Sequence, residues 1–290
     1  MTPSILQSRF HRWVYTGYVS IFFIYLLAPL FVVAVFAFND SLFPSLPWNG
    51  FTLDWFIGDS HPRLGVFNDK PILQSIGISA LVAVCVSVLA ISIGTSNAFL
   101  FEREEFPFKN FLYMLMLTPL VIPGVILGIS ILLTSTTAGN YIEDTFGVDI
   151  ELFRPSYWLV IFGQFSFGAT YVMLLVAARL KKFDRTLEEA ALSLKATRLE
   201  SILYVTIPFL RPAIIGAFVV AFILSFSNIN TTIFLVGSDP TLPIDLYSRI
   251  RFSSTPVLNA VSFLVVLVIS FLALINFFVS GKTNNRNGQD

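Results

Sequence analysis

Two stretches carry side chains capable of specific chemistry in a chain otherwise built mostly of hydrocarbon. The first is Ser225-Phe226-Ser227-Asn228-Ile229-Asn230-Thr231-Thr232, in which six of eight side chains are hydroxyls or amides. The second runs from Arg179 to Glu200 and gathers ten of the 36 charged residues of the whole chain. Neither places a nucleophile beside a base, so no catalytic residue is expected. No metal site is expected either: His11 and His61 are the only histidines, and Cys85 is the single cysteine. What remains is hydrogen bonding within an apolar medium and a charged loop that must be folded for a purpose.

The elements that carry these stretches follow from composition. The 290 residues are 55% hydrophobic and 12% charged, with 31 phenylalanines and no formal net charge. A soluble core of this size has no need of so much apolar surface, which points to a membrane protein. Six apolar runs cover 14–38, 73–100, 111–134, 157–180, 207–234 and 257–280. Each reaches the roughly 20 residues a helix needs to cross hydrocarbon, and none shows the two-residue alternation of a barrel strand. The expected fold is all-α and integral to the membrane, a single transmembrane domain over 1–290 with six spans and a loop at 181–206. With both termini, 101–110 and the 181–206 loop in the cytoplasm, together with Arg179 and Arg211 at the flanking helix ends, 13 of 18 basic residues lie inside. The positive-inside bias therefore favours that orientation. It also puts His11 and His61 on opposite sides, and no Ser-His-Asp set has two members on one side at a plausible depth.

The first helix could be mistaken for a secretory signal, because Arg9 and Arg12 precede it. Its length and the lack of an Ala-x-Ala site make it an uncleaved span. Gly281-Lys282-Thr283 resembles the end of a phosphate-binding loop, but position 276 is Asn and a membrane helix precedes it, so that motif is rejected. The spans hold almost no ionisable side chains away from their ends, which argues against an intrinsic ion-coupled motor.

In the charged loop, Thr186-Leu187-Glu188-Glu189 and Thr197-Arg198-Leu199-Glu200 both fit a capping box. The spacing predicts two short helices, starting at Leu187 and near Arg198, with a bend at Lys195-Ala196. Leu187, Ala190, Ala191 and Leu194 share one face of the first helix. Two alanines keep that face thin, which suits a groove on a protein partner. The other reading is a helix lying on lipid, though such helices usually carry bulky apolar residues throughout. Pro208 is expected to end the second helix.

In the fifth run, taken as one helix, Ser225, Asn228 and Thr232 share a face, with Ser227 and Thr231 beside it. Hydroxyls and amides facing lipid are costly, so the face should point into the bundle or a wet cavity. Gln164 and Tyr171 in the fourth run are candidates for the same cavity. Hydrogen bonding between helices without solute contact is the alternative. Gly124 and Gly128 form a GxxxG match, read as packing, and the pairs Pro119/Pro123 and Pro208/Pro212 suggest two irregular helices.

The residues also carry a resemblance. Glu189-Ala190-Ala191 followed by Ile207-Pro208 is similar to the EAA loop of ATP-binding-cassette (ABC) importer permeases. "GFTLDWF" after the first span and "LPIDLYSRIRFSSTPVLNAVSFLVV" before the last resemble the second permease subunit of the spermidine/putrescine, polyamine-type, importer family. The likeness covers about residues 15–278. It implies a type I ABC importer permease fold in the bacterial inner membrane, with the EAA loop as coupling helix. It further implies that Thr186, Leu187, Glu188, Glu189, Ala190, Ala191, Leu194, Lys195 and Pro208 serve that coupling. Gln164, Tyr171, Ser225, Ser227, Asn228, Thr231 and Thr232 would line the path. Implied partners are an ABC ATPase dimer, a homologous second permease, a periplasmic substrate-binding protein and the bilayer, with no nucleic acid. ATP and Mg would sit on the ATPase, with no cofactor on this chain, which is then not an enzyme.

Two departures qualify the resemblance. Lys195 stands where the family usually has glycine, so either the bend has moved to Ala196-Thr197 or Lys195 adopts a left-handed conformation. Ser227 and Asn228 stand where polyamine permeases tend to place acidic residues, which weakens attraction for a polycation. The expected cargo is a small amine-containing solute such as putrescine or spermidine; the alternative is a betaine-like or aminophosphonate zwitterion. A passive channel has no use for the folded loop, and a membrane enzyme would need a polar catalytic set at one membrane face.

Overall fold

The computed structural model describes residues 9–252 and 255–286, and every regular element among them is helical. The chain ends, which the charge bias leads one to expect in the cytoplasm, lie outside the described residues, at 1–8 and 287–290. The helices are α1 (Arg9–Ala37), α2 (Asp54–Ile57), α3 (Lys70–Arg103), α4 (Lys109–Val121), α5 (Gly124–Phe146), α6 (Tyr157–Leu180), α7 (Thr186–Ser193), α8 (Arg198–Ser201), α9 (Ile207–Phe226), α10 (Thr232–Leu235), α11 (Leu242–Phe252) and α12 (Pro256–Arg286). Among the described residues, six helical stretches are long and apolar enough to cross a membrane: His11–Ala37, Lys70–Arg103, Gly124–Phe146, Tyr157–Leu180, Arg198–Phe226 and Pro256–Leu274.

Two apolar runs that read as continuous are broken. The run at 111–134 is divided between α4 and α5, because Pro123 lacks an N–H and forces the preceding Ile122 into extended backbone (φ −71°, ψ 128°). The run at 207–234 stops at Phe226 and resumes as α10, leaving Ser227–Thr231 outside any helix longer than a turn. A further correction concerns Pro208. It does not end a helix: α8 passes through a π turn, Ile202–Thr206, directly into α9. The Ile207 N–H donates to the Ile202 carbonyl five residues back. The extra residue in this wide turn shifts the carbonyls that a proline ring at 208 would otherwise strike.

The chain divides into two compact units. One comprises residues 71–248 and 269–290, and its core is the packing of α6 against α9. Ala169, Val172, Met173 and Val176 of α6 and Leu210, Ala217 and Ala221 of α9 are buried there. Lipid is as apolar as these side chains, so contact depends on close approach, which small residues permit. At Gly94 of α3 a Cβ would lie 2.6 Å from the Ala169 carbonyl oxygen.

The other unit comprises residues 1–70 and 249–268. Here the "GFTLDWF" stretch is a folded corner. The Trp55 indole N–H donates to the Asn39 carbonyl at 2.8 Å, and Asn39 Oδ1 accepts from the Asn49 N–H at 2.9 Å. Arg63 pairs with Asp40 and Asp54, while Phe38 packs on Phe51, Phe56 and Phe263. Asp69 accepts two bonds from the Arg249 guanidinium, at 2.8 and 3.1 Å. None of residues 11–36 in α1 is buried.

Candidate functional site

The charged loop folds as two short helices separated by a tight reversal. Its start differs from the expected capping box. Arg185 is already helical (φ −66°, ψ −20°), so Thr186 falls inside the first turn and its hydroxyl cannot cap. Asp184 does so instead: its Oδ1 accepts the Thr186 N–H at 3.0 Å and its carbonyl accepts the Leu187 N–H at 3.3 Å. The Thr186 N–H foremost, and the Thr186 side chain after it, hold the Asp184 carboxyl below its ordinary pKa. The second capping box forms as its sequence requires. Glu200 accepts the Thr197 N–H at 2.7 Å, and Thr197 Oγ1 accepts the Glu200 N–H at 3.2 Å.

Between the two helices Lys195 takes the left-handed conformation at φ 67°. The Lys195 N–H reaches the Leu192 carbonyl at 2.9 Å and the Ala196 N–H reaches the Ala191 carbonyl at 3.1 Å. This is the Schellman arrangement, which glycine ordinarily serves at no steric cost. Of the two alternatives for the bend, the chain uses Lys195.

The apolar stripe points outward. Leu194 is 85% exposed and Leu187 51%, Ala190 is exposed, and Ala191 is half-buried. Glu189 is also exposed. Glu188 turns the other way: its carboxylate receives hydrogen bonds from Arg103 at the end of α3 and from the buried Thr206 of the π turn. Burial alone would raise its pKa, but the bonds from Arg103 and Thr206 and the nearby arginine charges outweigh that and lower it. The Arg103 guanidinium lies 5.3 Å from the Phe99 ring and 5.5 Å from the Phe183 ring. A cavity of about 680 Å³ opens beside this pair, lined among others by Arg185, Leu192 and Arg198.

The second polar region is the break between α9 and α10. Gln164, 1% exposed, sits in the middle of α6 and bonds to both sides of the break. Ser225 Oγ donates to Gln164 Oε1 at 2.5 Å, and Gln164 Nε2 donates to Thr232 Oγ1 at 2.7 Å. Thr232 Oγ1 in turn donates to Asn228 Oδ1 at 3.3 Å, which also accepts the Thr231 N–H at 3.1 Å. Breaking a helix frees backbone groups that hydrocarbon cannot satisfy, and Asn228 supplies a partner for one of them, the Thr231 N–H. Gln164, Ser225, Thr231 and Thr232 are buried within this network. Ser227 stands apart, exposed and bonded back to the Ile223 carbonyl at 2.7 Å.

Asn228, Thr231 and Tyr171 meet at a cavity of about 260 Å³, together with Pro119, Ile122 and Asn230. Of the candidates named from sequence for this region, the structure thus places three at a void and three in the supporting network. Asn230 and the Ile122 break went unnoticed as lining groups. Arg103 and Thr206 were missed entirely, since they stand 85 residues before and 18 residues after Glu188.

Comparison with known proteins sets these features in a family. The chain is 28% identical over 270 residues to the putrescine transport system permease protein PotI of Escherichia coli K12, covering 92% of this chain and 91% of that one. It is 27% identical over 275 residues to the spermidine/putrescine transport system permease protein PotC of the same strain, covering 94% and 96%. Among solved structures, a bacterial ABC transporter involved in the import of the acidic polysaccharide alginate matches at TM-score 0.68 and 14% identity, over 93% of this chain and 98% of that one. That likeness establishes the ABC permease fold. Six membrane-length apolar helices and these relatives make the chain a multi-pass membrane protein. Residues 87–283, more than half of the sequence, match the family described as binding-protein-dependent transport system inner membrane component, and the chain belongs to that family.

Proposed function

We propose that this permease forms one half of the translocation path of an ATP-driven importer, with α7 as the element that docks on a partner ATPase. The observation that carries this reading is the exposed thin face of Leu187, Ala190 and Leu194 on a helix held in place from behind by Glu188. ATP and Mg belong to the ATPase dimer; this chain hydrolyses nothing. The second permease is a homologous chain, which gives α1, unburied over 11–36, a protein surface to meet. A periplasmic binding protein delivers the solute, and both termini face the cytoplasm of a bacterial inner membrane. Co-purification tests the assembly: the tagged chain should bring down an ATPase and a different permease. A transport-active complex with two copies of this chain and no other permease would refute it.

For the cargo, the names of the relatives favour an amine-containing solute of the putrescine or spermidine kind. A second reading is supported by the cavity at the break, whose polar lining consists of Tyr171, Asn228, Asn230 and Thr231, without a carboxylate. Neutral amides offer less to a polycation than to a zwitterion such as a betaine-like or aminophosphonate solute. A ferric transport system permease protein of Actinobacillus pleuropneumoniae is also 26% identical over 251 residues, 83% of this chain and 34% of that one, so likeness at this level spans differing cargo. Identifying the solute bound to the co-purified binding protein decides between the two.

A further inference from the structure

The inner face of α7 carries a connection that docking alone does not require. Glu188 is the only residue of α7 whose charged group turns away from the exposed stripe toward the rest of the chain, and it meets two different elements there. Arg103 is the last residue of the 34-residue α3, and Thr206 is the last residue of the π turn that opens α9. The Arg103 and Glu188 side chains are each only 15% exposed, so their attraction is weakly screened by solvent. The Arg103 guanidinium lies over the rings of Phe99 of its own helix and of Phe183, itself buried just before the loop. Its charge is therefore presented in one place. Thr206 has no exposed surface.

The covalent routes from α7 are less direct. Upstream, the chain passes through the Asp184–Arg185 turn; downstream it passes through the left-handed Lys195 and then α8. Turns of this kind can absorb a displacement by changing backbone angles. The Glu188 carboxylate bypasses both. It ends in a π turn, a geometry whose extra residue can be passed along or lost by a helix and which recurs at functional positions. From that turn α9 runs 20 residues to Phe226, past Ser225 and into the polar break.

We propose that Arg103 and Thr206 are positioning residues that clamp Glu188, so that motion of α7 is passed to α3 and α9 rather than lost in the flanking turns. This inference rests on the docking role of α7 proposed above. A clamp of this kind sets how much solute moves per ATP, not whether ATP is hydrolysed.

The test uses the whole complex, with its ATPase, second permease and binding protein, in proteoliposomes. R103Q and T206V are compared with the unaltered protein for ATPase co-purification, ATP hydrolysis and solute moved per ATP. The expected result is normal co-purification and hydrolysis, with solute per ATP reduced by about fivefold to a hundredfold in R103Q. T206V, nearly the same shape as threonine, should show the same defect more mildly. R103K should recover part of the coupling, because lysine keeps the charge but not the planar fork. The exchanged pair R103E with E188R should recover more than R103E alone. Unchanged solute per ATP in an assembled R103Q complex overturns the clamp. If R103Q fails to assemble, T206V decides, and unchanged coupling there overturns it equally. Absence of the ATPase from every preparation, the unaltered protein included, removes the docking reading and the clamp together; loss of the clamp alone leaves co-purification intact.

Discussion

Gly128 and Thr231 approach so closely that a Cβ on Gly128 would lie 2.7 Å from the Thr231 carbonyl oxygen. One turn earlier, a Cβ on Gly124 would meet the Asn230 Cβ at 3.0 Å. The GxxxG pair on α5 is therefore the surface on which the broken segment after α9 rests, within one chain. Gly128→Ala pushes against backbone, which cannot swing aside as a side chain can. Overpacking of this kind costs about 1–3 kcal/mol. Thermal unfolding in detergent should show a clear loss for Gly128→Ala and a smaller one for Gly124→Ala. A Gly128→Ala protein as stable as the parent would mean the break is not seated there.

Lys195 offers a prediction of opposite sign. A left-handed lysine costs about 1 kcal/mol relative to glycine, so Lys195→Gly should stabilise the turn between α7 and α8 by up to that amount. Hydrogen exchange at residues 186–197 should slow accordingly. If the lysine is kept for contact with the ATPase, the same variant should bind the ATPase less well despite the firmer turn. Faster exchange in Lys195→Gly would contradict the strain argument.

The acidic groups of the loop give a pH dependence. Asp184 and Glu188 both have folded-state pKa values below their ordinary ones, Asp184 through the Thr186 amide. For Glu188, burial opposes the shift and the bonds from Arg103 and Thr206 prevail. A depressed carboxyl contributes stability that is fully present above its unfolded value and is lost as pH falls through the folded one. The order of α7 should therefore hold near neutrality and decline only in acid, below the ordinary carboxylate range near about 4. Exchange at 186–193 measured from about pH 6 down to about pH 3 should accelerate at the acid end after correction for intrinsic rates. Glu188→Gln should flatten part of that rise, and an unaltered profile in it would deny Glu188 its role.

Much of the fold class was legible because hydropathy is a sum over side chains, and 20-residue apolar runs have few other uses. The breaks were less legible because they are backbone events. Pro123 announced one through its missing N–H, whereas nothing between Phe226 and Thr232 forbids a helix in isolation. There the sequence pattern grouped Ser225, Asn228 and Thr232 on a helical face that the chain does not form. Their association survives for another reason, since Gln164 and Asn228 tie them together across the gap. The capping boxes show the same limit. Thr197 had no competitor and caps as read, while Asp184, two residues upstream of Thr186, takes that role first. The Arg103–Glu188 pair joins positions 85 residues apart and leaves no local trace in sequence.

Asn228 permits the sharpest separation of support from selectivity. Its Oδ1 accepts from the Thr231 amide and the Thr232 hydroxyl, and the residue also lines the cavity at the break. Asn228→Leu removes both acceptor functions and leaves a buried amide and a buried hydroxyl short of a partner, at about 1–3 kcal/mol. It should unfold at lower temperature and transport less, even per folded complex. Asn228→Asp has nearly the same shape and keeps an acceptor oxygen in the same place, so the break should stay folded. What changes is the charge beside the cavity. A carboxylate there strengthens attraction for a polycation and repels an anion, while a zwitterion responds weakly. Uptake by Asn228→Asp complexes should therefore rise for a polyamine if that is the cargo, and change little for a betaine-like solute. Unchanged uptake per folded complex in both variants would remove Asn228 from the path and leave it only the role of holding the break together.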